Sequence, residues 1–357
     1  MLRTTGLSIL GICGALFGVA IGADSAWAQA PYGDRAPYDA ASIRLRPVGN
    51  NTYPPVVTAL AIDPRGELLA ASGDDHIIRI LARPSLKTLK ELALHEDWVQ
   101  TLDFSDDGST LVSAGNDGQV ILWDRDKNWE TRQRITGAPA IRSVQFSPDG
   151  SQVAAVGFQP QLFLMGIGNA ARPTLQCGCR DLRCVAFRGD GSVVAAAGRS
   201  GDIHFFDART GSAIDEVQLH GDRIRAMQFV AQTSRIVSVC EDGHAVLYDM
   251  DAKRIIHEMQ VPGCKLQTLA MVDATHVALG GTDNFVHLFN LETGKKALTL
   301  EGHTGSIAAM VGDRGELFSG SFDTTIRRWS LQKLAQGARV ADAEAAEQPD
   351  ARTSRRP

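Results

Sequence analysis

Three stretches of the sequence repeat the residue set of nucleophilic hydrolases: His95, Ser113 and Asp117; His220, Ser238 and Asp242; His303, Ser319 and Asp323. A histidine base beside a serine hydroxyl, oriented by a carboxylate, is the constellation of acyl transfer. Here each copy is followed by an aromatic residue, Trp123, Tyr248 or Trp329. A hydrolase needs one such site, so three copies at similar spacing point to a building element of a repeated unit. The chain has no G-x-S-x-G elbow, phosphate loop, dinucleotide fingerprint, H-E-x-x-H pair or C-x-x-C-H haem attachment. Asp124 to Asn128 opens like a calcium loop, but Trp129 stands at the glycine position and Ile135 at the final glutamate position, which leaves a solvated turn. No catalytic residue, cofactor or metal is expected, and the protein reads as a non-enzyme.

The cysteines are the other reactive groups, and their chemistry depends on the compartment. Arg3 precedes an apolar stretch from Leu7 to about Gly22, followed by Ser25-Ala26-Trp27-Ala28, so residues 1–28 read as a secretory signal peptide cut before Gln29. The apolar run is shorter than the ~20 residues of a spanning helix and is loosened by Gly11, Gly14 and Gly18, so no membrane insertion is expected after cleavage. A periplasmic or secreted location follows. Five cysteines remain, Cys177, Cys179, Cys184, Cys240 and Cys264, an odd number in an oxidising compartment. Two readings compete: disulfides that brace neighbouring loops, or a thiolate metal or redox site. Oxidising conditions and the lack of paired C-x-x-C ligands favour disulfides, with the pairing open.

The elements that carry these residues repeat. Apolar residues that open a strand recur at Val57, Val99, Ile141, Leu182, Ile224, Leu266 and Ile307, spaced by 41 or 42 residues. A second ladder runs through Leu81, Trp123, Met165, Phe206, Tyr248, Phe289 and Trp329. Within the second unit, alternation over Trp98–Phe104, a turn at Asp106-Asp107-Gly108, an apolar run Thr110–Ala114, a turn at Asn116-Asp117-Gly118, alternation over Gln119–Asp124 and a last segment Thr131–Thr136 predict four short strands. Four such strands consume about forty residues. One four-stranded sheet cannot bury both faces, but seven stacked radially and closed into a ring can.

These units resemble WD40 repeats from about residue 42 to residue 331. The terminal Trp-Asp of that family is intact at Trp123-Asp124, with Phe206-Asp207, Tyr248-Asp249, Phe289-Asn290 and Trp329-Ser330 as near forms, and its Gly-His is intact at Gly302-His303. The first and third units lack both. The resemblance implies an all-β fold, a seven-bladed propeller of four-stranded antiparallel blades, here an exported member of bacterial type. It further implies that Ser42–Arg46 completes the last blade and that each His-Ser-Asp set, with Trp123 or Trp329, is a buried structural hydrogen-bond network.

Function is read from the same resemblance: WD40 propellers are mainly rigid platforms for other proteins, gripping partners on the face that carries the loops leading into each blade. Mapped by register, that face presents Trp98, Phe158 and Phe322 beside Arg199, Arg223 and Lys265. Exposed aromatics with cationic neighbours have the composition of an interface hot spot. The expected partner is a protein or peptide, bound by a monomeric propeller. A formal net charge of -5 offers no global field for nucleic acid. The competing class is an envelope enzyme or metal or redox protein using the central channel or the cysteines. Residues 29–41 read as a linker, 42–335 as the propeller and 336–357 as a disordered tail.

Overall fold

The computed structural model describes residues 41–48, 52–83, 85–168, 174–178 and 181–331; the signal-peptide and tail assignments, and all of the linker but Ala41, lie outside them. Its 28 strands form seven four-stranded antiparallel sheets. The inner strands are Val57–Ile62, Val99–Phe104, Ile141–Phe146, Leu182–Phe187, Ile224–Phe229, Leu266–Met271 and Ile307–Asp313, each opening on the residue that marks the repeat. Trp98 and its counterparts, expected as first strand residues, stand one position ahead of them.

Burial explains the composition of each blade. The second strands Leu68–Gly73, Thr110–Gly115, Gln152–Gly157 and Val193–Gly198 are buried at every position, because each is covered on both faces by neighbouring blades. They are accordingly rich in alanine and valine, whereas the outer strand Glu130–Ile135 is mostly exposed and polar. The apolar core is divided among the seams between blades. Ile78 and Ile80 of blade one pack with Leu102 and Trp123 of blade two, and Val237 and Val239 of blade five with Leu266 and Leu269 of blade six. The last seam joins Val57 and Leu69 of blade one to Phe318 and Ile326 of blade seven.

The ring is closed by the chain's own N-terminal strand. Ala41–Arg44 pairs antiparallel with Thr325–Ser330, Ile43 lying opposite Ile326, so the closing strand ends two residues before the expected Arg46. Beyond it, buried Leu45 donates its N–H to the Thr324 carbonyl at 3.0 Å.

Each inner strand leaves one edge without a strand partner, and polar side chains of the adjacent blade supply the missing bonds. Phe146 N–H donates to Asp103 Oδ2 at 2.8 Å, Phe187 N–H to Gln145 Oε1 at 2.7 Å and Val144 N–H to Thr101 Oγ1 at 3.1 Å. Burial pushes the Asp103 carboxyl up to about 7. Raised in the folded state, it binds a proton that the unfolded chain has released, so its contribution to stability falls as pH rises from about 4 to about 7. Asp103→Asn keeps an acceptor for Phe146 and removes the charge. We expect this variant to be more stable than the parent at pH 8 by about 2 kcal/mol, less than the full shift allows because the channel admits water to this wall. At pH 4 the two should coincide; denaturant titrations at both values give the comparison, and equal stability at pH 8 contradicts it.

Candidate protein-binding site

The hydrolase-like residue sets are assembled as sealed networks. In blade two, His95 Nδ1 lies 2.8 Å from Asp117 Oδ2 and Nε2 lies 2.8 Å from Ser113 Oγ, which also accepts the Trp123 indole N–H at 2.9 Å. Blade seven repeats this with His303 to Asp323 at 2.9 Å, His303 to Ser319 at 2.7 Å and Trp329 to Ser319 at 2.8 Å. Both serines are completely buried, so no acyl substrate reaches their hydroxyls. Each aspartate reaches back to the loop leading into its blade, accepting N–H from Glu96 at 3.0 Å or Thr304 at 2.9 Å. Burial lowers the pKa of both histidines, outweighing the aspartates, and so keeps the imidazoles neutral. Stability from these groups is present above the unfolded value of about 6.5 and lost as pH falls below it.

Blade five holds an opened version. His220 Nε2 keeps Ser238 at 2.8 Å, but Nδ1 stands 4.0 Å from Asp242 and has no hydrogen-bond partner, while Tyr248 replaces the indole donor. The difference begins at Cys240. In five blades the same position is glycine, and a Cβ on Gly115, Gly157, Gly198 or Gly281 would come within 2.2 Å of a carbonyl oxygen of the leading loop. Cys240, the last residue of its second strand, puts a thiol at that position. His303→Ala should therefore cost about 2–3 kcal/mol, stranding two buried partners, and His220→Ala about 1 kcal/mol. Parallel melts of the two variants check this; equal losses contradict it.

Blades one and six, which lack the histidine of the leading loop, satisfy the turn aspartate differently. Asp75 pairs with Arg79 at 2.5 Å, and Asp283 with His287 at 2.7 Å. In each case an aspartate is followed four residues later by a basic side chain, with no histidine in the leading loop to mark it.

The disulfide expectation is corrected. Cys177, Cys184, Cys240 and Cys264 are all free and buried, and Cys179 lies outside the described residues. Cys240 is the last residue of the second strand of blade five, and Cys184 is the third residue of an inner strand. Cys177, Cys264 and Cys184 pack into three different apolar seams, and burial pushes Cys240 up to about 12 and Cys264 up to about 11, away from the reactive thiolate. Two groups among the described residues offer three metal-ligating atoms within 4.8 Å of one another: His220, Cys240 and Asp242, and Asp202, His204 and Glu216.

The predicted binding residues fall around the mouth of the central channel. The backbone pairs the two sets of rim positions, Asn116 N–H to Trp98 O at 3.0 Å, Glu241 N–H to Arg223 O at 3.1 Å and Phe322 N–H to Ser306 O at 3.0 Å. Trp98, Phe158 and Phe322 expose 38, 47 and 46% of their surface, unusual for groups of this size. Trp98 and Phe322 line an axial cavity of about 370 Å³. Phe158 lies under the Arg183 guanidinium, 4.5 Å from the ring centroid, a cation–π contact. Arg223 bridges Glu241 at 3.1 Å and Asp181 at 3.3 Å. Arg199 and Lys265 are exposed but do not line the cavity.

Three further lining residues were missed from the sequence: Arg142, Arg183 and Arg225. Each follows an apolar residue of the repeat ladder, and each inner strand carries a bulge at that position. A bulge re-aims one side chain, here onto the channel wall, which strict alternation does not reveal.

Seven four-stranded blades, buried His-Ser-Asp-Trp networks and a closing N-terminal strand define a WD40-type seven-bladed β-propeller. Residues 56–330 match the family model described as the IFT122 first beta-propeller, and the chain belongs to that family. It is similar to transducin beta-like protein 3 of Rattus norvegicus, 26% identical over 288 residues, covering 78% of this chain and 32% of that protein. It is also similar to eukaryotic translation initiation factor 3 subunit I of Aspergillus terreus, 26% identical over 219 residues, 57% of this chain and 65% of that one. WD repeat-containing protein 1 of Gallus gallus is 25% identical over 275 residues, 71% of this chain and 42% of that protein. The chain thus spans less than two thirds of each relative's length.

Proposed function

We propose that this propeller is a non-catalytic platform that binds another protein through the face bearing the channel mouth. The observation that carries the reading is the convergence there of three large exposed aromatic side chains with a set of arginines held by neighbouring carboxylates. Rigid aromatic and arginine groups around a pocket are the usual anchors of protein interfaces. The relatives support it in kind, since one of them is named as a subunit of an initiation factor, a member of a larger assembly. Trp98→Ala, Phe322→Ala and Arg223→Glu should each weaken binding of a partner at least tenfold without unfolding the propeller, while Arg254→Glu on an outer strand leaves it unchanged. Binding lost only in the outer-strand variant overturns the reading.

The compartment belongs to the same proposal. The charged start, apolar centre and small-residue exit of residues 1–28 support export, and a mature chain beginning at Gln29 outside the cytoplasm is the expected product. An uncleaved cytosolic chain overturns it.

A further inference from the structure

The bulge in every inner strand turns its second residue to the axis, and all seven residues so placed line the axial cavity. Thr58, Gln100, Gln267 and Ala308 are uncharged, whereas Arg142, Arg183 and Arg225 of three consecutive blades are cationic. With Arg223, Arg183 and Arg225 make three guanidinium groups that share two carboxylates: Asp181 holds Arg183 at 2.7 Å and Arg223 at 3.3 Å, and Glu241 holds Arg223 at 3.1 Å and Arg225 at 3.4 Å. Arg142 has no carboxylate within ion-pair distance among the described residues and donates to the Gln100 amide oxygen. The Nε atoms of Arg183 and Arg223 are buried without a hydrogen-bond partner.

Such an arrangement works against the fold. Like charges on a partly desolvated wall repel, and the burial and neighbouring arginines that press Arg142 down to about 10 express that cost. Asp103, the one acidic side chain among the described residues that line the same cavity, is itself raised to about 7 and so carries only part of a charge near neutrality. The positive excess is confined to blades three to five, and Trp98 and Phe322 face the opening from blades two and seven. The mouth is therefore cationic on one side, where Phe158 stacks on Arg183, and uncharged with Trp98 and Phe322 on the other.

Resting on the reading of this face as the binding surface, we propose that the channel mouth takes an acidic segment of the partner protein, with one anionic group seated among Arg142, Arg183 and Arg225 and its apolar neighbours against Trp98 and Phe322. The seated group is a carboxylate or a phosphate ester, both of which match the forked guanidinium.

Fluorescein-labelled octaglutamate, octalysine and octathymidylate serve as probes, read by anisotropy at low salt. Octaglutamate should bind the parent chain and weaken with added salt. The double variant Arg142→Gln/Arg225→Gln should lose at least tenfold, and Arg209→Gln on an exposed turn should lose nothing. Arg142→Gln alone, which leaves the Glu241 pairs intact, should lose severalfold and guards against a folding defect in the double variant. Competition by millimolar inorganic phosphate assigns a phosphate-type seat; octaglutamate binding without phosphate competition assigns a carboxylate. Octaglutamate affinity equal in parent and variants overturns the proposal, as does tighter binding of octalysine, or of octathymidylate with loss in the same variants. If the partner maps to the mouth while octaglutamate ignores the arginines, the binding face stands and the anionic seat falls.

Discussion

A chain beginning at residue 47 is expected to melt about 7 °C below one beginning at residue 41, and to aggregate as its concentration rises. The difference is the closing strand. Without it, Thr325–Ser330 loses its outer antiparallel neighbour while keeping Glu316–Ser321, and a hydrogen-bonding edge is exposed to other molecules. Leu45 no longer fills the seam that it shares with Val57, Leu69 and Phe318, a loss of roughly 2 kcal/mol. The Arg46 carbonyl that accepts from Arg79 at 2.9 Å disappears as well, leaving a buried charged donor short of one partner at roughly 1–3 kcal/mol. Together these amount to about 4 kcal/mol, or about 7 °C for a domain of this size. A synthetic peptide spanning residues 39–48 should restore part of the loss in trans. Identical melting of the two chains would mean that the ring closes without the strand.

Arg79→Ala is expected to cost about 3–5 kcal/mol, the range for removing one partner of a buried ion pair. Arg79 and Asp75 expose only 2% and 5% of their side chains, so the stranded Asp75 carboxylate has little water to replace the guanidinium. The pair is bidentate, with Nη1 to Oδ1 at 3.2 Å and Nη2 to Oδ2 at 2.5 Å, and the same guanidinium reaches the Arg46 carbonyl. It therefore joins the turn of blade one to the segment that arrives from blade seven. The double variant Asp75→Asn/Arg79→Met removes both charges and should recover at least 2 kcal/mol of the loss, since an apolar replacement for a buried pair is often nearly neutral. Urea titrations of the two singles and the double form the test. Additive losses, or a loss below 1 kcal/mol for Arg79→Ala, contradict the coupling.

The repeat was legible because the fold imposes one apolar residue at the same seam position in every blade. Val57 and its six counterparts open the inner strands observed, and Trp123 and Trp329 occupy the networks that the repeated histidines and serines suggested. Three features were hidden for physical reasons. The bulge that aims Arg142, Arg183 and Arg225 at the axis is a backbone irregularity that leaves the apolar ladder unchanged. The Asp75–Arg79 and Asp283–His287 pairs solve the same hydrogen-bonding problem with different side chains. The cysteines were read by compartment chemistry, yet blade packing holds Cys240 and Cys264 as buried free thiols in different blades. Of the binding residues, Trp98 and Phe322 line the cavity, Phe158 stacks on its lining residue Arg183, Arg223 shares carboxylates with the lining residues Arg183 and Arg225, and Arg199 and Lys265 do not line it.

The central claim is that a partner protein docks on the channel-mouth face. Site-specific photo-cross-linking tests it most directly, with p-benzoylphenylalanine placed in turn at Trp98, at Phe322 and at Ile255 on the exposed outer strand of blade five. Adducts of one defined partner from positions 98 and 322, with none from 255, are the expected result; adducts from 255 with none from the mouth contradict the account.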